Sequence, residues 1–419
     1  MTSPSEHSSS AVPHGAPVDV PEGRRSVAAH ARAVRVLLEP VLERLTREAR
    51  TVPLAEARGR VLARPVTAPL DLPPFDNSQM DGYAVRSGEL PGVLRVVDTI
   101  AAGHTEAALG AEPEPGSAAP IMTGAMLPAW ADAVVPVEAA VPPRFLPSGG
   151  EVGLPAAPQG QFIRERGGDV SRGATVLEAG VRLGAAQIAL LAALGLGEVT
   201  VREALTVAVL STGDELVQPG AALPPGRIYD SNGPMLTAAL QDAGAVVRTV
   251  QSQEDSPAGL RAALSRLEGV DLVLSTGGIS QGAFEVVKQG LEEGVDFVSV
   301  AMQPGGPQAL GSVRIASGPV PFLGFPGNPV SSLVSFEVFL RPLLAGDRPR
   351  VRAVLDGEAD SPADKHQVRR GIHQDGRVRL EGGAGSHLLQ ALAQSNCLVH
   401  LPVGLRQAEK DSEVEVWIL

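Results

Sequence analysis

One cysteine, Cys397, stands in 419 residues. That excludes a disulfide scaffold and any cysteine-ligated zinc or iron–sulfur centre, and it suits a reducing compartment. Aromatic residues make up only 3%, so alanine, valine and leucine must fill the core, and platforms for stacking bases are scarce. Positive charge is in deficit: 35 Lys and Arg against 47 Asp and Glu leave a net charge of −12. No nucleic-acid partner is therefore expected. Long apolar runs are missing too. Ala185 to Gly197 falls short of the roughly 18 apolar residues a span requires, so no membrane insertion is expected. The Ser/Pro-rich start lacks the apolar block of a secretory signal and predicts a disordered tail over residues 1–23, with a cytoplasmic location. Neither a G-x-S-x-G elbow nor a Walker A run occurs, which removes the serine-hydrolase and P-loop readings. The eight histidines form no HxH or HxxxH pair and read as packing or surface groups.

Glycine and proline are abundant, 47 and 36 residues, predicting many turns and functional loops. From Ser26 to Arg50 apolar residues recur at helical spacing (Val27, Val34, Leu37, Leu38, Val41, Leu42, Leu45). This is an amphipathic helix that Pro40 is expected to kink or restart. Short β-branched runs such as Val93–Ile100 and Ala133–Val137, separated by Pro and Gly clusters, make 71–160 a β-rich unit. Residues 24–70 and 161–203 form a helical piece around that insertion, with Gln187 to Leu194 expected to pack on the first helix. Strands alternate with helices over 204–345, predicting a doubly wound, mostly parallel α/β domain. Residues 346–419 alternate apolar and polar between glycine turns, predicting a small β-barrel or sandwich. The fold class is multidomain α/β plus β.

Ligands of an open α/β sheet bind beyond the carboxyl ends of its strands. Polar, glycine-rich segments follow the strands here: Ser211–Glu215, Ser275–Ser280 and Phe325–Pro329, while Tyr229–Pro234 precedes a helix. Glycines let backbone N–H groups approach an anion, and helix N-termini and hydroxyls add donors. The chemistry is that of a phosphate or phosphoester site. Asp214 and Glu215 read either as Mg²⁺ ligands beside a phosphate or as carboxylates favoured by a helix N-terminus.

The segments PPFDNSQMDGYAV (Pro73–Val85), IMTGAMLPAWADAVVPVE (Ile121–Glu138), STGDEL, YDSNGPML, STGGIS and GFPGNPVSSLVSF together resemble the MoeA family. These are the molybdopterin molybdenumtransferases, related to the gephyrin E domain. The resemblance runs from about Arg24 to the C-terminus. It implies an elongated four-domain chain with an inserted β-rich domain, a molybdopterin-binding α/β domain and a C-terminal β-barrel. It further implies a homodimer whose active site is composed across subunits. The implied reaction inserts molybdate into adenylylated molybdopterin, with Mg²⁺-dependent hydrolysis of the adenylate, giving molybdenum cofactor and AMP. A molybdopterin adenylyltransferase is the candidate partner.

Carried over by motif, Asp81 matches the acid of DGYA, Thr123 the threonine of MTGA, Asp169 the acid of R-x-x-G-x-D and Glu215 the acid of TGDE. These four are the implied catalytic set. Taken alone, Asp81 would be a turn-forming Asp-Gly and Asp169 a solvated loop acid. Substrate binding is implied at Ser211, Thr212, Gly213, Asp230, Ser231, Asn232, Ser275, Gly277, Gly278 and Ser280. It is implied as well at Lys288, Pro304, Pro326, Gly327, Asn328 and Pro329. The metal ligands implied are Glu215 and Glu285, the latter standing where the family commonly has aspartate. Many members also carry lysines in a K-x-x-x-K-P-G-K-P stretch. This chain reads SVAMQPGGP, with Ser299, Gln303 and Gly306 in their place, and Arg314 or Lys288 are the candidates to compensate. Two alternatives stand beside the insertase reading. One is an adenylyltransferase, against which the extra β domains count; the other is a gephyrin-like scaffold with weakened or lost catalysis.

Overall fold

The computed structural model describes residues 23–104, 112–251, 256–278, 286–291 and 293–419. Residues 1–22 of the expected tail, Ser280 and Glu285 lie outside the described residues, as does the side chain of Lys288. Internal packing divides the chain into two units, Met1–Glu48 with Glu203–Leu419, and Ala49–Arg202.

The first helix, α1 (Val27–Arg47), starts where the Ser26 hydroxyl accepts the Ala29 N–H at 3.1 Å and satisfies an N-terminal donor. It runs through Pro40 without a restart; the proline stands on the exposed face. The opposite stripe, Val34, Leu38 and Leu45, is buried with Leu205, Val207 and Phe339. His30 lies on the same stripe, 1% exposed, edge-on to the Phe339 ring at 4.6 Å. Burial, helped by the Arg25 charge, lowers its pKa from 6.5 to about 4. The unfolded chain therefore binds this proton at higher pH than the folded one. Stability is full above pH 6.5 and falls as pH drops toward 4, by on the order of 3 kcal/mol. The melting temperature should decline over that window, and His30→Leu should flatten part of the slope. A wild-type melting temperature unchanged between those limits would refute this account.

In the Ala49–Arg202 unit five strands form one sheet: β1 (Gly82–Val85), β2 (Gly92–Val96), β3 (Ser117–Ile121), β4 (Ala133–Pro136) and β5 (Glu151–Leu154). Their order is β4-β1-β3-β2-β5, antiparallel except for the parallel β2–β3 pair. Every residue of β1 is buried. Tyr83 and Val85 enter one cluster and Ala84 the other, as a strand covered on both faces requires. The helix α2 (Ala185–Ala193) buries Leu191 with Val52, Leu62 and Val199. The expected pairing of this segment with the first helix is thus corrected. Apolar spacing identifies a buried face but not what covers it, and each helix has its core within its own unit.

The other unit holds β6 (Thr206–Ser211), α3 (Asn232–Asp242), β7 (Val246–Gln251), α4 (Pro257–Ser265) and β8 (Leu272–Thr276). It continues through β9 (Val295–Ser299), β10 (Pro307–Ile315), β11 (Gly318–Phe325) and α5 (Pro329–Ser335). The sheet runs β7-β6-β8-β11-β10-β9. The first four strands are parallel, and β10 and β9 close one side antiparallel. Side-chain alternation divides the core: Val207 and Val209 join α1, α3 and α5 on one face, Ala208 and Leu210 join α4 on the other. Helices on both faces make the sheet doubly wound, as the strand–helix alternation predicts.

The last five long strands are β12 (Arg350–Leu355), β13 (His366–Gln374), β14 (Arg377–Leu380), β15 (Cys397–Leu401) and β16 (Glu413–Ile418). They pair in a ring, β13-β14-β12-β16-β15 and back to β13. Of the two expected forms this is the closed barrel. Ring closure leaves no free edge. Cys397 is buried in its wall and its thiol is pushed up to about 11 by that burial, consistent with an inert packing group.

Candidate functional site

Because β6, β8 and β11 are parallel neighbours, the loops leaving them open on one rim, where the start of α3 joins them. There they line a cavity of about 1080 Å³ whose wall lies wholly within Thr212–His387. The loop after β6 supplies Thr212, Gly213 and Glu215, and the turn before α3 supplies Asp230, Ser231 and Asn232. Gly277 and Gly278 follow β8, Pro326, Gly327, Asn328 and Pro329 follow β11, and Pro304 precedes β10. Ser211 and Ser275 are buried in the strands and are not part of the wall.

Asn232 ties three of these loops together. Its Nδ2 donates to Thr276 Oγ1 at 2.8 Å and to the Gly327 carbonyl at 2.6 Å. That orientation leaves its Oδ1 buried without a partner, and Thr212 Oγ1 is in the same condition. A buried polar atom left unpaired costs about 1–3 kcal/mol, which a ligand or water in the cavity relieves. The Thr212 hydroxyl offers a donor to an anion, and Asn232 Oδ1 an acceptor to a ligand N–H.

Two carboxylates face this space, Glu215 and Asp230. Asp230 Oδ1 accepts the Gly233 N–H at 3.0 Å. The Glu215 carboxylate makes no hydrogen bond or ion pair among the described residues, although its backbone carbonyl accepts the Ile228 N–H at 2.8 Å. No helix follows it; the chain enters a short strand, Leu216–Val217, so the helix-terminus account of Asp214 and Glu215 is set aside. Gly213 is required beside it: with φ +145°, a Cβ there would lie 2.7 Å from both Glu215 carboxylate oxygens.

Positive charge enters from a region the sequence reading passed over. Lys365 and the segment Ala384–His387 come from the barrel half of the unit and complete the wall. Lys365 is the sole lysine or arginine among the described lining residues. Of the three positions that lack the family lysines, Gln303 and Gly306 line the cavity and Ser299 does not. Gln303 Oε1 is occupied by the Gln367 amide at 2.9 Å. Arg314 is exposed on β10 and outside the wall, which leaves Lys365 as the cation among the described lining residues.

Asp81, Thr123 and Asp169 lie in the Ala49–Arg202 unit. Asp81 Oδ1 accepts both the Thr123 N–H and its hydroxyl, each at 2.7 Å. These bonds hold the carboxyl below the usual carboxylate range, so it is ionised at neutral pH. Asp169 is exposed on a loop clamped by acids the sequence reading did not single out. Asp71 accepts from Arg166 Nε at 2.6 Å and from the Arg172 N–H at 2.7 Å, and Asp76 accepts the Arg166 N–H at 2.6 Å.

Residues 14–195 match the MoeA N-terminal region (domain I and II), 208–346 the probable molybdopterin binding domain, and 352–419 the MoeA C-terminal region (domain IV). The chain belongs to the MoeA family. A Mycobacterium tuberculosis protein, molybdopterin molybdenumtransferase 2, is 43% identical over 94% of this chain and 100% of its own length. The molybdopterin molybdenumtransferase of Haemophilus influenzae is 36% identical over 83% of the chain and 88% of its own. Among solved structures, the molybdopterin biosynthesis moeA protein from Pyrococcus horikosii superposes with a TM-score of 0.65. It is 30% identical and covers 91% of this chain and 98% of that one. MoeA membership accounts for the order of the segments, with the α/β domain between N-terminal and barrel regions.

The residues missed by sequence reasoning in this MoeA chain are Thr276, Lys365, Ser386 and His387. One signal was available for Lys365. The whole sequence holds three lysines, Lys288, Lys365 and Lys410, among 35 basic residues, and a lysine in so arginine-rich a chain marks a position where a compact ammonium differs from a guanidinium.

Proposed function

We propose that the protein inserts molybdenum into molybdopterin, taking adenylylated molybdopterin and molybdate and releasing molybdenum cofactor and AMP. The observation that carries this is the four-loop cavity, with unpartnered donors and acceptors, a free carboxylate and a single lysine on one wall. Its volume suits a ligand with two ring systems joined by phosphates. The backbone N–H groups of the glycine loops and the Thr212 hydroxyl bind the phosphates. Lys365 neutralises anionic oxygens, the His387 ring offers a further hydrogen-bonding group, and Asn232 orients a heterocycle edge.

A magnesium ion fits these donors in a limited way. Among the described residues no group of three or more His, Cys, Asp or Glu forms a metal cluster. Glu215 and Asp230 supply hard oxygen, and Mg²⁺ commonly takes one or two carboxylates and completes its shell with phosphate and water. Bound there, it would polarise the phosphate oxygens. The substrate itself must come from an adenylyl-transfer reaction, so an adenylyltransferase is the partner this reading calls for.

The reading also includes a two-fold homodimer in which one protomer's Asp81, Thr123 and Asp169 serve its partner's cavity. An ionised Asp81 with no ion-pair partner among the described residues, and a cavity wall drawn from one unit, support it. Purified protein should therefore form molybdenum cofactor and AMP from adenylylated molybdopterin and molybdate. Mixed dimers of Asp81→Ala and Glu215→Ala subunits should regain part of the activity that each variant lacks, because one of the two sites is then intact. No product from the wild type, with the adenylylated substrate present, would leave the scaffold reading in possession.

A further inference from the structure

The loop between β14 and the short helix Leu389–Gln394 has an ordered backbone polarity. Arg369 Nη2 donates to the Gly382 carbonyl at 3.2 Å. Arg370 Nη1 donates to the Gly385 carbonyl at 3.0 Å, and its Nη2 donates to the Gly383 carbonyl. The Ser386 carbonyl accepts the Val330 N–H at 3.2 Å. Four carbonyls of this loop are thus turned onto protein donors. None of the N–H groups from Gly382 to His387 makes a hydrogen bond among the described residues. A trans peptide plane points its N–H opposite to its carbonyl. The amides of Gly383, Ala384 and Ser386 are therefore directed away from the arginines and that of His387 away from the Val330 N–H, and Ala384, Gly385, Ser386 and His387 line the cavity.

Arg370 is unusual in its own right. It is 1% exposed, and no carboxylate lies within ion-pair distance among the described residues. A buried charge held by carbonyls alone is costly unless its placement serves something. We propose that Arg370, assisted by Arg369, is a positioning residue: it draws the loop carbonyls inward so that the amides of Ala384 and Ser386 are presented to a tetrahedral oxyanion in the cavity. The inference rests on the insertase reading and adds to it the device that shapes the anion-binding wall.

Hydrogen exchange of the 382–388 amides in the full-length protein, with and without molybdate, tests it together with steady-state kinetics. Molybdate should slow exchange of these amides in the wild type. Arg370→Met should abolish that protection and raise half-saturating molybdate about tenfold or more, with a smaller change in kcat, as expected for losing oriented donors. Arg370→Lys retains charge but not the two-pronged fork, and should resemble Arg370→Met. Arg369→Gln, at a partly exposed position, provides the reading if Arg370→Met fails to fold, and should raise half-saturating molybdate in the same direction. Full rescue by lysine, or unchanged molybdate dependence and protection in folded variants, overturns the positioning role while leaving the site reading intact. A wild type whose loop exchange ignores molybdate overturns the anion-binding wall as well.

Discussion

Glu215→Gln should leave the fold intact and reduce AMP release by about a thousandfold or more, equivalent to roughly 4 kcal/mol of lost transition-state stabilisation. Of the two carboxylates in the cavity, that of Asp230 already accepts the Gly233 N–H, whereas that of Glu215 has no hydrogen-bond or ion-pair partner among the described residues. Glutamine keeps the size and one acceptor but removes the charge a cation needs. Gly213→Ala is the matched control, because a methyl group there meets both Glu215 oxygens and should displace the carboxylate without deleting it. AMP release unchanged in Glu215→Gln would return this residue to the status of a solvated loop acid.

The second large effect belongs to Lys365. Methionine at this position keeps the stem and deletes the ammonium, so half-saturating molybdate should rise by about ten- to a hundredfold, the worth of one charged hydrogen bond of about 1.5–3 kcal/mol. The salt dependence of molybdate use should weaken at the same time, since the charge being screened has gone. Lys365→Arg should recover part of the loss. If Lys365→Met uses molybdate as the parent does, the cation that replaces the absent family lysines lies elsewhere, and the side chain of Lys288 is the next to test.

Much of this site was legible beforehand because its parts are local. STGDE, YDSN, STGG and PGNP each join a strand or helix whose apolar pattern is plain, and parallel pairing then forces the loops to one rim. The unread parts are those whose position is set by packing between distant segments. Lys365 and His387 reach the cavity only because the barrel packs against the α/β sheet; the rarity of lysine marks Lys365 as unusual, but nothing in ADKHQV or GAGSHL shows where the barrel will pack. The Arg369 and Arg370 clamp is hidden for a similar reason. In a strand sequence VRRG reads as an exposed arginine pair, whereas Arg370 is buried by a loop that arrives ten or so residues later. Helix α1 follows the same rule: Val34, Leu38 and Leu45 advertise an apolar stripe, but choosing between α2 and the α/β sheet as its cover depends on volume and shape.

That cover has a bearing on how the chain is made. The stripe of α1 packs on Leu205 and Val207, which leave the ribosome only after the whole of Ala49–Arg202 has been synthesised. At about 5–20 residues per second the nascent helix waits on the order of ten seconds with its greasy side unmatched. The intervening segment is spliced in at a single point, for the Glu203 N–H donates to the Glu48 carbonyl at 3.1 Å where the strand leaves and returns. Vectorial synthesis therefore favours completion of the insert first, closing the gap between residues 48 and 203 and bringing Leu205 and Val207 to the apolar stripe of the helix that precedes them.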